Sequence, residues 1–261
     1  MASLEISFGL LFGLIFGSFT NVCVHRIPRQ ESIAFPPSHC PKCKHSIAWY
    51  HNIPLFGWLW LRGRCAHCQV KISIRYPIME LLGGLIAAIG VGLFGLTYEG
   101  ALVALFGLTL LTLSAIDLEH MILPDRITYP GIILGLLINL FPLGEPFPVF
   151  WDALLGVVGG GGGLWLLIVV YQKITGRLAM GLGDVKLLAM FGAWLGWQPL
   201  FPLLFLASVM GVIVGGGWLM LAKKGGASPI PFGPFLAFSG WLHLLWGDAW
   251  LLWIRQWILV G

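Results

Sequence analysis

Two acidic stretches stand at the ends of apolar runs. "DLEHMILPD" at 117–125 places Asp117, Glu119 and Asp125 beside a histidine directly after "ALVALFGLTLLTLSAI", and "GLGD" at 181–184 places Asp184 ahead of the apolar "VKLLAM". A carboxylate at a bilayer centre costs about 3 kcal/mol on insertion scales, so acids in such places mark either a helix end or a functional polar site. Gly181 and Gly183 expose backbone and permit close approach of another chain. Asp184 then opens a helix, where the positive end of the dipole favours a carboxylate. Asp117 closes a helix instead, where negative charge is disfavoured. Two carboxyl groups so differentiated, sharing one proton and one water, have the chemistry of an aspartic protease: one activates water while the other protonates a carbonyl. On this reading Asp117 holds the shared proton of a coupled pair, and cleavage has a bell-shaped pH dependence.

A second constellation is "CPKC" at 40–43 and "CAHC" at 65–68. Two Cys-x-x-Cys pairs supply four thiolates at the spacing of a closed tetrahedral zinc site, which leaves no open position for catalysis. Cys40, Cys43, Cys65 and Cys68 are the expected ligands. His39, His45 and His67 lie beside them and can replace one, and a disulfide or redox pair is the competing reading. Cys23, at the end of the first apolar run, reads as buried packing.

The elements that must position these residues are membrane helices. The 261 residues are 58% hydrophobic and 10% charged, against roughly a quarter charged in soluble domains. Eight spans are expected: 4–24, 78–96, 101–116, 127–141, 151–170, 185–197, 200–221 and 232–246, with an interfacial helix in the tail from 248. The fold class is therefore all-α and polytopic. It divides into a first transmembrane helix at 1–24, a cytoplasmic zinc-binding loop at 25–77 and a transmembrane protease domain at 78–261. "MASLEIS" lacks a basic n-region, which favours an uncleaved first helix with its N-terminus outside. Eight of the fifteen basic residues lie between Arg26 and Arg75, and the positive-inside tendency then puts that loop, Asp117, Asp125 and Asp184 on the cytoplasmic side. No nucleic-acid partner is needed to explain the basic cluster. The glycine runs at 159–163 and 215–217 read as surfaces for close helix packing, with deformable helices that admit a substrate as the alternative.

The ordered motifs resemble the type IV prepilin peptidases, membrane aspartic proteases with a Gly-x-Gly-Asp motif. The likeness runs through "GSFTNVCVHRIP" at 17–28, the two Cys pairs, "ISIRYPIMELLGG" at 72–84, "DLEHMILPDRITYP" at 117–130, "GLGDVKLLAMFGAWLG" at 181–196 and "PFGPFLA" at 231–237. It implies that Asp117 and Asp184 are the catalytic acids of a multi-pass protein of the bacterial inner membrane. Their substrate would be a prepilin or type II secretion pseudopilin helix in the bilayer, cut at its cytoplasmic leader. Relatives with the tetracysteine loop commonly also methylate the new N-terminus with S-adenosylmethionine; nothing in composition or spacing marks a site for that donor. Many relatives have Asp-x-Asp where this chain has Asp117-Leu118-Glu119, so the second acid there reads as non-catalytic.

Other residues receive lesser roles. Asp125 orients its loop or contacts substrate, and Lys186 offsets carboxylate charge or snorkels to the interface. Gly181 and Gly183 support the catalytic loop. Glu80 is a helix-end acid or a polar contact, His120 a loop histidine and His243 a packing residue. Two other functions compete. A proton-coupled transporter also uses intramembrane acids, but neither acid motif recurs as repeated halves would require. A non-catalytic zinc-ribbon scaffold would leave both acid motifs unexplained.

Overall fold

The computed structural model describes residues 2–141, 146–176, 180–221 and 230–247. Among them every regular element is helical, and β pairing is confined to two isolated bridges, His39 with Ser46 and Arg64 with Lys71. The chain forms two compact units, Met1–Thr112 and Leu113–Gly261.

The first unit contains α1 (Ala2–Arg26), α2 (Phe56–Trp60), α3 (Arg75–Phe94) and most of α4 (Tyr98–His120), which runs through the unit boundary. Lipid tails are as apolar as leucine, so membrane helices associate through close van der Waals contact, which small residues permit. Gly9, Gly13 and Gly17 recur every four residues on one face of α1 and meet Gly83, Ala87 and Val91 of the antiparallel α3. A Cβ added at Gly17 would sit 2.6 Å from the Met79 carbonyl oxygen, and one at Gly83 would sit 2.6 Å from that of Gly13. Asn21 Nδ2 reinforces the contact by donating to the Tyr76 carbonyl at 3.3 Å.

The second unit holds α5 (Asp125–Ile138), α6 (Phe150–Val157), α7 (Gly163–Thr175), α8 (Leu182–Leu195), α9 (Leu200–Met210), α10 (Gly216–Leu221) and α11 (Gly233–Trp246). Every residue of α8 from Leu187 to Leu195 is buried, which makes it the central helix. It runs parallel to α5: Lys186 meets Asp125 at one end, and near the other Trp194 Nε1 donates to the Gly131 carbonyl at 2.9 Å and Asn139 Nδ2 to the Ala193 carbonyl at 2.8 Å. α11 follows the same direction, with Gly240 on the Phe191 ring. α6 lies antiparallel to α8, with Gly156 on Gly192.

Both glycine runs overlap π-helical turns, Val158–Gly162 and Gly211–Gly215. They pack in part: Gly160 and Gly161 approach Leu188 and Ala189 of α8, and Gly215 approaches Ile230, while Gly159, Gly162, Gly163, Gly216 and Gly217 have no neighbour within 4 Å of an added Cβ.

All eight expected segments are helical. Five are long and apolar enough to cross a membrane: Ser3–Arg26, Arg75–Phe94, Tyr98–His120, Phe150–Thr175 and Leu200–Trp218. The other three, α5, α8 and α11, have 14 residues each. At 1.5 Å per residue they reach about 21 Å, short of a hydrocarbon core of about 30 Å. The count of eight crossings therefore does not follow from helix length. The expected tail helix from 248 lies outside the described residues.

Candidate active site

α4 delivers Asp117 in its last turn and then stops. Met121 takes a left-handed φ of 55° while its N–H closes on the Asp117 carbonyl at 2.9 Å. The chain then runs extended through Leu123, and Pro124 caps α5, whose first residue is Asp125. α8 starts just after Gly181, so Asp184 lies in its first turn, with its N–H on the Gly181 carbonyl at 3.2 Å and its carboxyl group bonded to the Gly181 backbone.

Because α5, α8 and α11 are parallel, their N-termini come together at the end of the unit where Asp117 arrives. Asp117 is 6% exposed, and its Oδ2 accepts the N–H of Gly233, the first residue of α11, at 2.9 Å. Leu123 is the common neighbour: a Cβ on Gly183 would meet its Cβ at 3.0 Å, and one on Gly233 its Cδ2 at 3.3 Å. Asp117 and Asp184 are close enough that the charge of one bears on the other. The unit thus brings together two acids 67 positions apart, each held at a helix N-terminus, where N–H groups and the dipole favour an anion.

That geometry alters one expectation. Placing the shared proton on Asp117 rested on its position at a helix C-terminus, but α11 brings an N-terminal donor to the same carboxylate. Helix ends therefore do not single out Asp117 as the protonated acid.

The other expected residues fall around this pair. Lys186 Nζ lies 2.5 Å from Asp125 Oδ1 and 5.2 Å from the centre of the Tyr129 ring, so it ties α8 to the start of α5. Gly181 and Gly183 flank the turn into α8. Glu119, two residues beyond the buried Asp117, is exposed, and His120 Nε2 lies 3.9 Å from its Oε2. His243 is buried within α11.

Gly233 was missed by residue-level reasoning, although "PFGPF" carries the signal of a glycine just ahead of a helix-starting proline. A Cβ there would stand 2.7 Å from Asp117 Oδ2. We expect Gly233→Ala to displace that carboxylate and lower peptide cleavage about ten- to a hundredfold, since misplacement by about 1 Å costs on that order. Helix content measured by circular dichroism should be unchanged.

In the first unit the four thiols of Cys40, Cys43, Cys65 and Cys68 lie within 4.8 Å of one another, with Cys40 and Cys68 Sγ 3.8 Å apart. A tetrahedron of zinc–sulfur bonds of about 2.3 Å has edges of about 3.8 Å, so the group fits the ion. The two knuckles are built alike. Lys44 N–H returns to the Cys40 carbonyl and Gln69 N–H to that of Cys65, with left-handed φ of 59° and 57° at Lys44 and Gln69. Backbone N–H groups of Cys68 and His67 lower the Cys65 thiol to about 6, whereas Cys43, despite a backbone N–H from His45, is raised to about 11 by burial and by its hydrogen bonds to the other three thiols. His45 stacks on His67 at 4.4 Å, and no histidine joins the four-atom group.

Comparison with known proteins agrees with both halves. Residues 11–94 match the bacterial peptidase A24 N-terminal domain, and 104–216 match the type IV leader peptidase family. A prepilin leader peptidase/N-methyltransferase of Aeromonas hydrophila is 43% identical over 99% of this chain and 95% of its own length. The chain belongs to the type IV leader peptidase family. Further members of that family are equally similar: the prepilin leader peptidase/N-methyltransferase of Stutzerimonas stutzeri is 42% identical over 92% of this chain and 90% of its own, and that of Pseudomonas aeruginosa 40% over 92% and 89%. No solved structure matches the chain. For a leader peptidase the relevant local fact is that both acids, Asp117 and Asp184, lie inside the 104–216 match, whereas the tetracysteine group lies inside 11–94.

Proposed function

We propose that this protein is a multi-pass membrane aspartic endopeptidase that removes the leader of type IV prepilins or type II secretion pseudopilins and then methylates the new N-terminus. The observation that carries the reading is the meeting of two carboxyl groups, Asp117 and Asp184, at one end of a helical unit. One carboxylate takes a proton from water as the oxygen attacks the scissile carbonyl, and the partner gives its proton to the carbonyl oxygen. On collapse the amide C–N bond breaks: the acid that took the proton from water gives it to the leaving amine, while its partner takes back a proton from the gem-diol hydroxyl as the new carbonyl forms, which restores the pair. Asp125, Lys186, Gly181 and Gly183 support the loop around the acids, and Gly233 holds Asp117.

The acids face the cytoplasm. The excess of Lys and Arg in residues 26–75 supports this side. The substrate's apolar helix stays in lipid while its leader enters. Cys40, Cys43, Cys65 and Cys68 would hold structural zinc, which would cross-link the loop. For methylation the donor is S-adenosylmethionine, whose sulfonium supplies an electrophilic methyl group to the freed amine; the names of the relatives support this second activity.

Purified protein incubated with a prepilin peptide spanning leader and helix start should release the leader, and with the donor present the new N-terminus should gain 14 Da, about one methylene. Intact peptide after long incubation would reject the peptidase reading. Cleavage without a mass gain would reject only the second activity.

A further inference from the structure

Outside the spans of the first unit, three large exposed apolar side chains share one short element. α2 presents Phe56, Leu59 and Trp60 at i, i+3 and i+4, one face of a helix, and they are 72%, 63% and 83% exposed. Trp58 points the other way: its Nε1 donates to the Ile72 carbonyl at 3.3 Å, and Gly63 abuts its ring. The preceding turn, Trp49–Asn52, is carried with α2 because Gly57 sits against the His51 carbonyl, and Trp49 is 79% exposed.

The depth of α2 is set by a buried acid. Leu55, which precedes α2, donates its N–H to Glu80 Oε2 at 2.7 Å, and Ser18 also bonds Glu80. Glu80 lies five residues inside α3 from Arg75, about 7.5 Å at 1.5 Å per residue. Its Cα rests on Gly17, nine residues from the end of α1 at Arg26 and so about 13.5 Å from it. Leu55, and with it the start of α2, is therefore held beside the spans, below the level of their polar ends. Leu55 accepts a left-handed φ of 63° to make this turn, a conformation that persists in a non-glycine residue only where its surroundings impose it. The charge of the module is complementary to lipid: between residues 27 and 74 six basic side chains face Glu31 as the single acid. Four thiolates around a divalent ion would remove two of those charges and still leave an excess of positive charge.

We propose that α2 is an interfacial wedge: its Phe56–Leu59–Trp60 face inserts at the boundary between headgroups and acyl chains, Glu80 pins it at that depth, and the basic residues of the Cys module lie over anionic phospholipid. Tryptophan at the interface and Lys or Arg against anionic headgroups are the residue types that such a contact selects. Attachment to α1 and α3 at both ends keeps the wedge at the bilayer, so each contact needs to contribute little to hold the module flat.

The test uses the full chain in nanodiscs of phosphatidylcholine and phosphatidylglycerol, with p-benzoylphenylalanine replacing Trp60, Phe56 or, as the inward control, Trp58. After irradiation, mass spectrometry should find lipid adducts at 60 and 56 at least fivefold above those at 58. Their yield should fall at least twofold in phosphatidylcholine alone. Glu80→Ala should lower the yield at 60 at least threefold without loss of zinc, and Glu80→Gln, which keeps an acceptor for Leu55, should restore it. Equal yields at 58 and 60, equal yields in the two lipids, adducts confined to protein, or displacement of lipid adducts by added prepilin would each overturn the proposal. Zinc content and leader cleavage check that each labelled protein is folded, and positions 56 and 60 serve as independent readings.

Discussion

Asp117→Asn and Asp184→Asn should each lower leader cleavage by about a thousandfold or more, in line with the contribution of a positioned acid or base. Asparagine keeps the shape of each side chain and leaves Asp117 an oxygen that can accept the Gly233 N–H, so the effect reports lost proton chemistry and not lost folding. The two acids act as one unit, so the double variant should be no slower than either single one; the losses would multiply only if the residues acted independently. Alanine at either position should be equally inactive. The readout is the rate of leader release from a prepilin peptide at saturating concentration, with helix content and zinc measured on the same preparations. Processing at the parental rate by either single variant would remove the acid pair from the mechanism. Glu119→Gln is the internal control: its exposed side chain should leave the rate within about twofold of the parent, as surface changes away from a site usually do little.

Metal removal is expected to have the second large effect. The 3₁₀ turn at Trp49–Asn52 buries no residue, and Trp49, Tyr50, Phe56, Leu59 and Trp60 of this loop are exposed. The loop therefore has little core of its own, and the four-thiol cluster is its main cross-link. Structural zinc in such small modules supplies about 10–16 kcal/mol of apparent binding free energy at neutral pH, which is folding free energy where no other core exists. The purified protein should carry one zinc per chain, and Cys40→Ser/Cys65→Ser none. Limited proteolysis should then cut the variant, or a chelator-treated parent, between residues 27 and 74 while leaving the helices of the second unit intact. A parent without stoichiometric metal, or a variant as resistant as the parent, would refute the structural-zinc reading. Cys23→Ser should retain full metal, since Cys23 is buried in α1 apart from the cluster.

Much of this was legible from composition and local pattern. Apolar runs at the length of membrane helices, two Cys-x-x-Cys pairs and acids beside glycine at helix mouths are short-range signals, and each translates directly into a local structure. Helix positions and the four-thiol cluster follow from them because a bilayer requires internally bonded backbone and because each Cys-x-x-Cys is a self-contained turn. What local pattern cannot supply is the relative direction of helices. The parallel course of α5, α8 and α11, which gathers three N-termini around Asp117 and Asp184, depends on side chains as distant as Trp194 and Gly131 or Gly240 and Phe191. The donor from Gly233 to Asp117 joins residues 116 positions apart, so reasoning from the end of one helix misjudged the surroundings of that acid. Crossing number was also beyond local pattern, because three 14-residue helices satisfy an apolar criterion without spanning length. Residue chemistry thus named the groups able to act, and packing through glycine contacts decided which of them meet, since an approach closer than a Cβ allows is a property of two surfaces and not of either sequence segment alone.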